Sequence, residues 1–267
     1  MKLSSGGVPH WSTPYHDHAA MPAVVRLDLE EVTMSTIDGA ARTLTQHAPT
    51  KTGDWLRKVL LVCGPLSALV YIGWHEIAAL QWEGYSRISN AISELHFTGT
   101  PSKSFLDPWQ GWVDSALLAA FGIGIWLSAQ GSRSLRVIGA VMIVPAAMIP
   151  LWMIFGEASI AAHLALVGVG ILCWLVAMGF GAAALGKKFK IYSLVSLGLV
   201  VGFFALGFSY VPEANAGQPT PFLGLFERIG FSAYFLWLTV LAAALWRRPT
   251  IKDRDADLED RTRASAL

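Results

Sequence analysis

The feature that most constrains this chain is a series of six long apolar stretches separated by short polar gaps. Each stretch has about 20 residues, which matches the ~30 Å hydrocarbon thickness of a bilayer at the rise of a helix. In lipid only helices and closed barrels satisfy the backbone, and these stretches lack the alternation of barrel strands. We therefore predict an all-α, polytopic membrane bundle of six transmembrane helices. The expected spans are residues 59–80, 110–129, 137–155, 163–185, 191–211 and 227–246.

Composition agrees with a membrane protein and argues against nucleic-acid binding. Only 15% of the 267 residues are charged, whereas soluble domains carry roughly 25%. The net charge of +1 provides no global field that would attract a polyanion. Cys63 and Cys173 both fall within apolar stretches, so we expect small buried side chains and no disulfide.

Basic residues mark alternate gaps between the stretches. The gaps that hold them, with the two ends of the series, contain Arg57, Lys58, Arg133, Arg136, Lys187, Lys188, Lys190, Arg247 and Arg248. The opposite gaps contain only Arg87 and Lys103 before the second stretch and no Lys or Arg in residues 156–162 or 212–226. The positive-inside rule then predicts a multi-pass plasma-membrane protein with both termini in the cytoplasm.

The sequence outside the stretches predicts two polar ends. We expect a disordered N-terminal segment over residues 1–54, the six-helix transmembrane domain over 55–248, and a disordered charged cytoplasmic tail over 249–267. No short apolar run precedes the first stretch, so a cleavable signal is not expected. Met34 is an alternative translation start to Met1.

The first outer gap has a helical pattern of its own. In residues 84–100, apolar side chains recur at three- and four-residue steps at Tyr85, Ile88, Ile92 and Leu95. This spacing predicts one short amphipathic helix. The segment is too short and polar to span, so we expect it to lie in the outer interface or over the bundle.

Glycines predict close helix packing. Gly198 and Gly202 stand four residues apart in the fifth stretch and are followed by Gly207, and the fourth stretch contains Gly168, Gly170, Gly179 and Gly181. Small residues at this spacing let helices approach closely in lipid. We interpret them first as packing surfaces within the bundle and second as faces of a homo-oligomer.

Three segments together resemble a known family. They are "RISNAISELHFTGTP" after the first stretch, "FGEASIAAH" before the fourth, and "GLFERIGFSAYFLW" opening the sixth. In this order they are similar to a bacterial membrane family named domain of unknown function 998, over about residues 55–246. The chain departs from the family at His96, where glycine is common. The resemblance implies the fold and a membrane location, and it implies no reaction.

Ionisable residues near the spans cluster at the predicted outer end. Asp114 is notable because it lies about one turn inside the second stretch, where a charge costs a few kcal/mol unless it is paired or hydrated. The candidate outer-face polar cluster consists of Arg87, Glu94, Asp114, His163, Glu227 and Arg228.

Two non-enzymatic interpretations of this cluster are open. In the first, it is structural or accessory, and Arg87 pairs with Glu94 or Asp114 to hold the loop helix. In the second, it lines an outward-facing pocket that binds a lipid headgroup or small ligand, with Arg87 and Arg228 contacting an anion.

The third interpretation is a membrane-embedded hydrolase or transferase acting at the outer leaflet. His75, His163, Asp114 and Glu94 would then ligate a metal or perform general acid–base catalysis. No metal-ligand spacing such as HExxH occurs, so we expect no metal and no cofactor. We favour a non-enzymatic protein whose partner is the bilayer itself, with the enzyme as the alternative.

Overall fold

The computed structural model describes residues 51–106 and 109–248, which are entirely helices and their connections. The described helices are α1 (Lys51–Leu80), a 3-10 helix (Ile92–His96), α2 (Lys103–Leu106), α3 (Gln110–Leu127), α4 (Arg133–Phe155), α5 (Ile160–Ala184), α6 (Lys187–Phe208), α7 (Val211–Asn215) and α8 (Leu223–Trp246). Residues 1–50 and 249–267, for which disorder is expected, lie outside the described residues. Helix α1 begins four residues before the expected boundary at residue 55.

Six of these helical segments are long and apolar enough to cross a membrane, which confirms the predicted fold class. They are α1, α3, α4, α5, α6 together with α7, and α8. The observed ends differ from the expected spans by a few residues, because the helices continue into polar turns. Lys187, Lys188 and Lys190, for example, form the first turn of α6.

The six long helices form a ring. Each packs against its neighbour in the chain, and α8 also packs against α1, which closes the ring. Glycines allow a close crossing between α3 and α4. A Cβ on Gly122 would lie 2.9 Å from the carbonyl oxygen of Gly139, and one on Gly139 would lie 2.8 Å from that of Gly122.

The two ends of the ring differ in their packing. We define the loop end as the end where α1 stops and α3 starts, and the cationic end as the end where Arg133 and Lys187 lie. In the half toward the cationic end, large apolar side chains pack together in the interior. Phe121 and Ile125 of α3 meet Trp237 and Leu241 of α8 within one buried cluster. The ring is therefore closed at the cationic end.

Two prolines lie inside α4, and a neighbouring helix compensates for one of them. Pro150 has no N–H, so it leaves the carbonyl of Ala146 without its helical donor. The hydroxyl of Ser115 on α3 donates to that carbonyl at 2.5 Å. Because water does not reach the hydrocarbon region, this bond keeps a backbone acceptor satisfied.

The glycines predicted to pack helices are mostly not those that do so. A Cβ on Gly198 or Gly202 would meet nothing within 4 Å, and the same holds for Gly168 and Gly170. The prediction of a packing surface within the bundle is wrong for these four positions and for Gly179. It is confirmed at Gly181, where a Cβ would lie 2.7 Å from the ring of Trp237, and at Gly207, where a Cβ would lie 3.7 Å from the side chain of Leu223. Their role in a homo-oligomer stays a prediction.

The first loop differs from the predicted single helix. Residues 84–91 form turns, and only Ile92–His96 is helical, as a 3-10 helix. Polar side chains compete with the helical bonds: Asn90 Oδ1 accepts from the N–H of Ser86, and Glu94 Oε1 accepts from that of Ala91. The apolar stripe is nevertheless used, since Ile92 and Leu95 are buried.

Candidate functional site: a blind cavity at the loop end

A cavity of about 390 Å³ lies inside the ring at the loop end. All six long helices, the 3-10 helix and α7 contribute to its wall. Exposed residues such as Ile160 and Asn215 border it, whereas the cationic end is closed by the packed core. The cavity is therefore blind. Its aromatic lining residues are Tyr71, Phe97, Trp152, Trp174, Phe204, Phe208, Phe231, Tyr234 and Phe235.

Three carboxyl groups line the cavity, and among the described residues no Lys or Arg does so. Two of these groups hold the first loop in place. Glu227 Oε2 accepts from the backbone N–H of Ile92 at 2.7 Å. Glu94 Oε2 accepts from the side chain of Asn90 at 2.7 Å.

Asp114 is the third carboxyl group and the most buried of the predicted cluster, with 4% of its surface exposed. Its Oδ2 accepts a short hydrogen bond from Nε2 of Gln110, one turn earlier on α3. Its Oδ1 has no hydrogen-bond partner among the described residues. A carboxylate oxygen facing an apolar cavity lacks the donor that buried polar atoms normally have.

A pair of histidines links α1 to the first loop. His75 Nδ1 lies 2.7 Å from the carbonyl oxygen of Tyr71, so this nitrogen carries the proton of a neutral ring. His75 Nε2 is then an acceptor, and it lies 3.0 Å from Nε2 of His96. His96 therefore donates through Nε2. Its Nδ1 is left as an acceptor that has no partner in the described part of the chain.

Two indoles add unpartnered donors to the same cavity. Nε1 of Trp152 and Nε1 of Trp174 are buried without a hydrogen-bond partner in the described ranges. Trp152 lies edge-on to His96 and to His163, with ring centroids 5.1 Å and 5.4 Å apart. Four buried polar atoms of the cavity wall, two acceptors and two donors, are thus unsatisfied by the described protein.

Arg228 contacts the first loop and does not line this cavity. Its Nη1 donates to the carbonyl oxygens of Arg87 at 3.0 Å and Gly224 at 3.2 Å. Its Nη2 donates to the hydroxyl of Tyr85 at 3.0 Å. The guanidinium is occupied in holding the first loop against α8.

Arg87 also points away from the cavity. Its Nε forms an ion pair with Glu76 at 2.6 Å, and both side chains are more than 40% exposed. The predicted pairing of Arg87 with Glu94 or Asp114 is wrong, because the turns of residues 84–91 direct Arg87 toward the end of α1 instead.

A third contact joins the first loop to the connection between α4 and α5. Lys103 Nζ lies 2.7 Å from Oε1 of Glu157, and the hydroxyl of Thr98 donates to Oε2 at 2.5 Å. Although partial burial opposes it, these two donors hold the pKa of Glu157 below its usual value. The loop is therefore fastened to α1, α8 and the α4–α5 connection.

The predicted cluster thus separates into two sets. Glu94, Asp114, His163 and Glu227 line the cavity, whereas Arg87 and Arg228 do not. Within the described ranges, no three His, Cys, Asp or Glu side chains are arranged to hold a metal ion.

Sequence reasoning missed several residues of the cavity. Gln110, His96 and the two indoles with unpartnered nitrogens were not among the residues of the predicted cluster. Gln110 precedes Asp114 by one helical turn, a spacing at which two helical side chains meet, and this was the one available hint.

A closed ring of six apolar helices around a blind, aromatic cavity defines a multi-pass helical membrane protein. The sequence matches the family described as Protein of unknown function (DUF998) over residues 62–244, and the chain belongs to that family. A search of curated proteins and a search of solved structures give no match.

Proposed function

We propose that this protein is a non-enzymatic plasma-membrane protein that binds an amphiphilic small molecule or lipid inside the helical ring. One observation carries the proposal: the blind cavity has four buried polar atoms without partners in the described residues. Native structures leave few such atoms unsatisfied. A ligand with an apolar body and a polar end satisfies both parts of the wall.

The lining supports a ligand whose body is apolar. Ligand sites are typically concave and mostly apolar, with a few polar groups that orient the ligand. Here Leu118, Val167 and Phe204 are among the apolar lining residues, while Asp114 and His96 supply polar atoms. The packed core beneath argues for binding rather than for passage across the membrane.

The distribution of basic residues supports an orientation with the cavity facing outward. Arg133, Arg136 and the lysines at the start of α6 lie at the opposite end from the cavity. The positive-inside rule then places that end, and both termini, in the cytoplasm of a bacterial cell. A reporter fused after Leu267 is expected to be active only in the cytoplasm, and activity only outside would contradict this orientation.

Two glycines of α5 provide a matched test of the binding site. Gly170 lines the cavity and Gly168 does not, and a Cβ on either meets nothing within 4 Å. The Gly170→Leu side chain would occupy the cavity, whereas that of Gly168→Leu would not.

The measurement is calorimetric binding of 1-adamantylmethylammonium and of 1-adamantanemethanol to the detergent-purified protein. We expect at least one probe to bind the wild type and Gly168→Leu alike and to lose at least about tenfold in affinity with Gly170→Leu. Unchanged affinity in Gly170→Leu, or no binding of these two probes or of 1-adamantanecarboxylate to the wild type, would contradict the proposed function.

A further inference from the structure

We infer that the ligand of the cavity carries a protonated amine, so that the site selects a hydrophobic cation. This inference rests on the proposed function and specifies the chemical class of its ligand. It follows from the charges, the unpartnered acceptors and the aromatic residues of the wall.

The charges of the cavity wall favour a cation. Asp114, Glu94 and Glu227 line it, and no Lys or Arg of the described chain does. A carboxyl group at this depth stays ionised only where an opposite charge or water offsets its desolvation. An anionic headgroup would instead lie among carboxyl groups, and like charges in a low-dielectric site repel strongly.

Two unpartnered acceptors specify an ammonium that donates hydrogen bonds. Asp114 Oδ1 and His96 Nδ1 have lone pairs and no donor within the described ranges, and their residues are 4% and 6% exposed. The histidine pair explains why His96 offers a lone pair here, since its other nitrogen donates to His75. An N–H group of a protonated amine supplies what each acceptor lacks.

The aromatic wall is suited to the same group. Cations bind favourably over aromatic faces, most strongly over tryptophan and tyrosine. Trp174 is stacked on Tyr234 with centroids 4.0 Å apart and meets Phe231 edge-on at 5.5 Å. Trp152 stands beside His96. Aromatic rings therefore make up much of the wall that a cation would contact.

The cations of the predicted cluster do not line this cavity. Arg87 is paired with Glu76, and Arg228 donates to loop carbonyls and to Tyr85. The alternative ligand is a neutral alcohol, which the indole N–H groups of Trp152 and Trp174 would favour because an alcohol also accepts hydrogen bonds. The two classes are separable by experiment.

The test compares three probes with one apolar cage: 1-adamantylmethylammonium, 1-adamantanemethanol and 1-adamantanecarboxylate. Calorimetry on the wild type in detergent is expected to show the ammonium binding at least about tenfold more tightly than either of the others. Equal or tighter binding of the alcohol or the carboxylate overturns the inference while the proposed function stands. Binding of none of the three contradicts both.

A variant pair assigns the selectivity to the cavity. Asp114→Asn retains the shape of the side chain and is expected to lower ammonium affinity at least about tenfold while changing alcohol affinity less than about threefold. Glu157→Gln is the matched control, because Glu157 is a carboxyl group of the loop end that does not line the cavity. Ammonium affinity that falls equally in both variants, or in neither, overturns the inference; if Asp114→Asn does not fold, the three-probe comparison on the wild type still decides.

Discussion

His75 Nε2 and His96 Nε2 lie 3.0 Å apart, and this contact connects a transmembrane helix to the loop that covers its end. The carbonyl of Tyr71 orients His75, which in turn makes His96 the donor. The Nδ1 of His96, a residue of the cavity wall, is consequently an acceptor without a partner among the described residues. A contact that positions the loop also determines the chemistry of the cavity wall.

The histidine pair predicts that stability falls in acid. Burial, followed by repulsion from His75 and Lys103, lowers the pKa of His96 well below its usual value of ~6.5. The unfolded chain therefore takes up a proton below about pH 6.5 that the folded chain does not, and the free energy of unfolding falls by up to about 1.4 kcal/mol per pH unit.

Unfolding measured in detergent between about pH 8 and about pH 5 checks this prediction. His96→Gln, which does not titrate, should show a shallower decline than the wild type. Parallel declines for the two proteins would show that other groups cause the pH dependence.

We expect Arg228 to contribute more than Arg87 to the free energy of unfolding. Arg228→Ala removes donors from the loop carbonyl of Arg87, from the α8 carbonyl of Gly224 and from the hydroxyl of Tyr85, so it should lower the free energy of unfolding by about 2–4 kcal/mol. Arg87→Ala breaks a half-exposed ion pair and should cost no more than about 1 kcal/mol. Limited proteolysis should cleave residues 84–100 faster in Arg228→Ala alone. Equal protection of the loop in both variants would contradict the role of Arg228.

We expect alanine substitutions at Gly224 and at Gly198 to have opposite effects on stability. A Cβ on Gly224 would lie 2.2 Å from the carbonyl oxygen of Asn90 and 2.8 Å from that of Arg87, so Gly224→Ala must displace the loop. We expect a loss of about 1–3 kcal/mol. Gly198→Ala meets nothing within 4 Å and should raise helix stability by up to about 1 kcal/mol. Melting temperatures of the two variants test this, and a loss in Gly198→Ala would indicate a partner on that face.

We expect Asp114 to contribute to ligand binding and not to the stability of the ligand-free protein. Its Oδ1 is buried without a donor among the described residues, so Asp114→Asn should raise the free energy of unfolding by about 1 kcal/mol in the absence of ligand. Thermal unfolding of both proteins measures this. Destabilisation of the variant would support the structural interpretation of the cluster instead. An enzyme would be indicated if Asp114→Asn abolished turnover of a bound molecule without weakening its binding.

The spans were predictable because bilayer thickness dictates the length of an apolar helix. The predicted and observed ends of α3 and α4 agree within a few residues, and the deviations are polar turns such as Lys187–Lys190. Hydropathy shows where lipid contact ends, and it does not show where the backbone leaves the helix.

The burial of apolar side chains in the first loop was predictable, whereas the interruption of its predicted helix was not. Ile92 and Leu95 are buried, as the apolar stripe predicted, while Ile88 is 52% exposed. Ser86 and Asn90 interrupt the helix because their side chains bond the backbone of the loop itself. The Ser and Asn content of the segment was the available signal against one continuous helix.

The cavity could be predicted only in part. Asp114, His163 and Glu227 were expected from their positions near the ends of apolar stretches, and all three line it. The pairing of His75 with His96 joins residues 21 positions apart, and it depends on the path of an irregular loop. Whether a buried polar atom lacks a hydrogen-bond partner can likewise be determined only when the positions of all neighbouring atoms are known.

Photolabelling tests the central claim, that the ligand lies inside the ring. A diazirine derivative of 1-adamantylmethylammonium is irradiated with the purified protein, and the labelled residues are identified by peptide mass spectrometry. We expect labels on the cavity wall at Trp152, His163, Leu164 or Trp174, abolished by excess unlabelled ammonium. Saturable labelling of outward-facing side chains such as Leu172 or Val195, with the cavity wall unlabelled, would contradict the account.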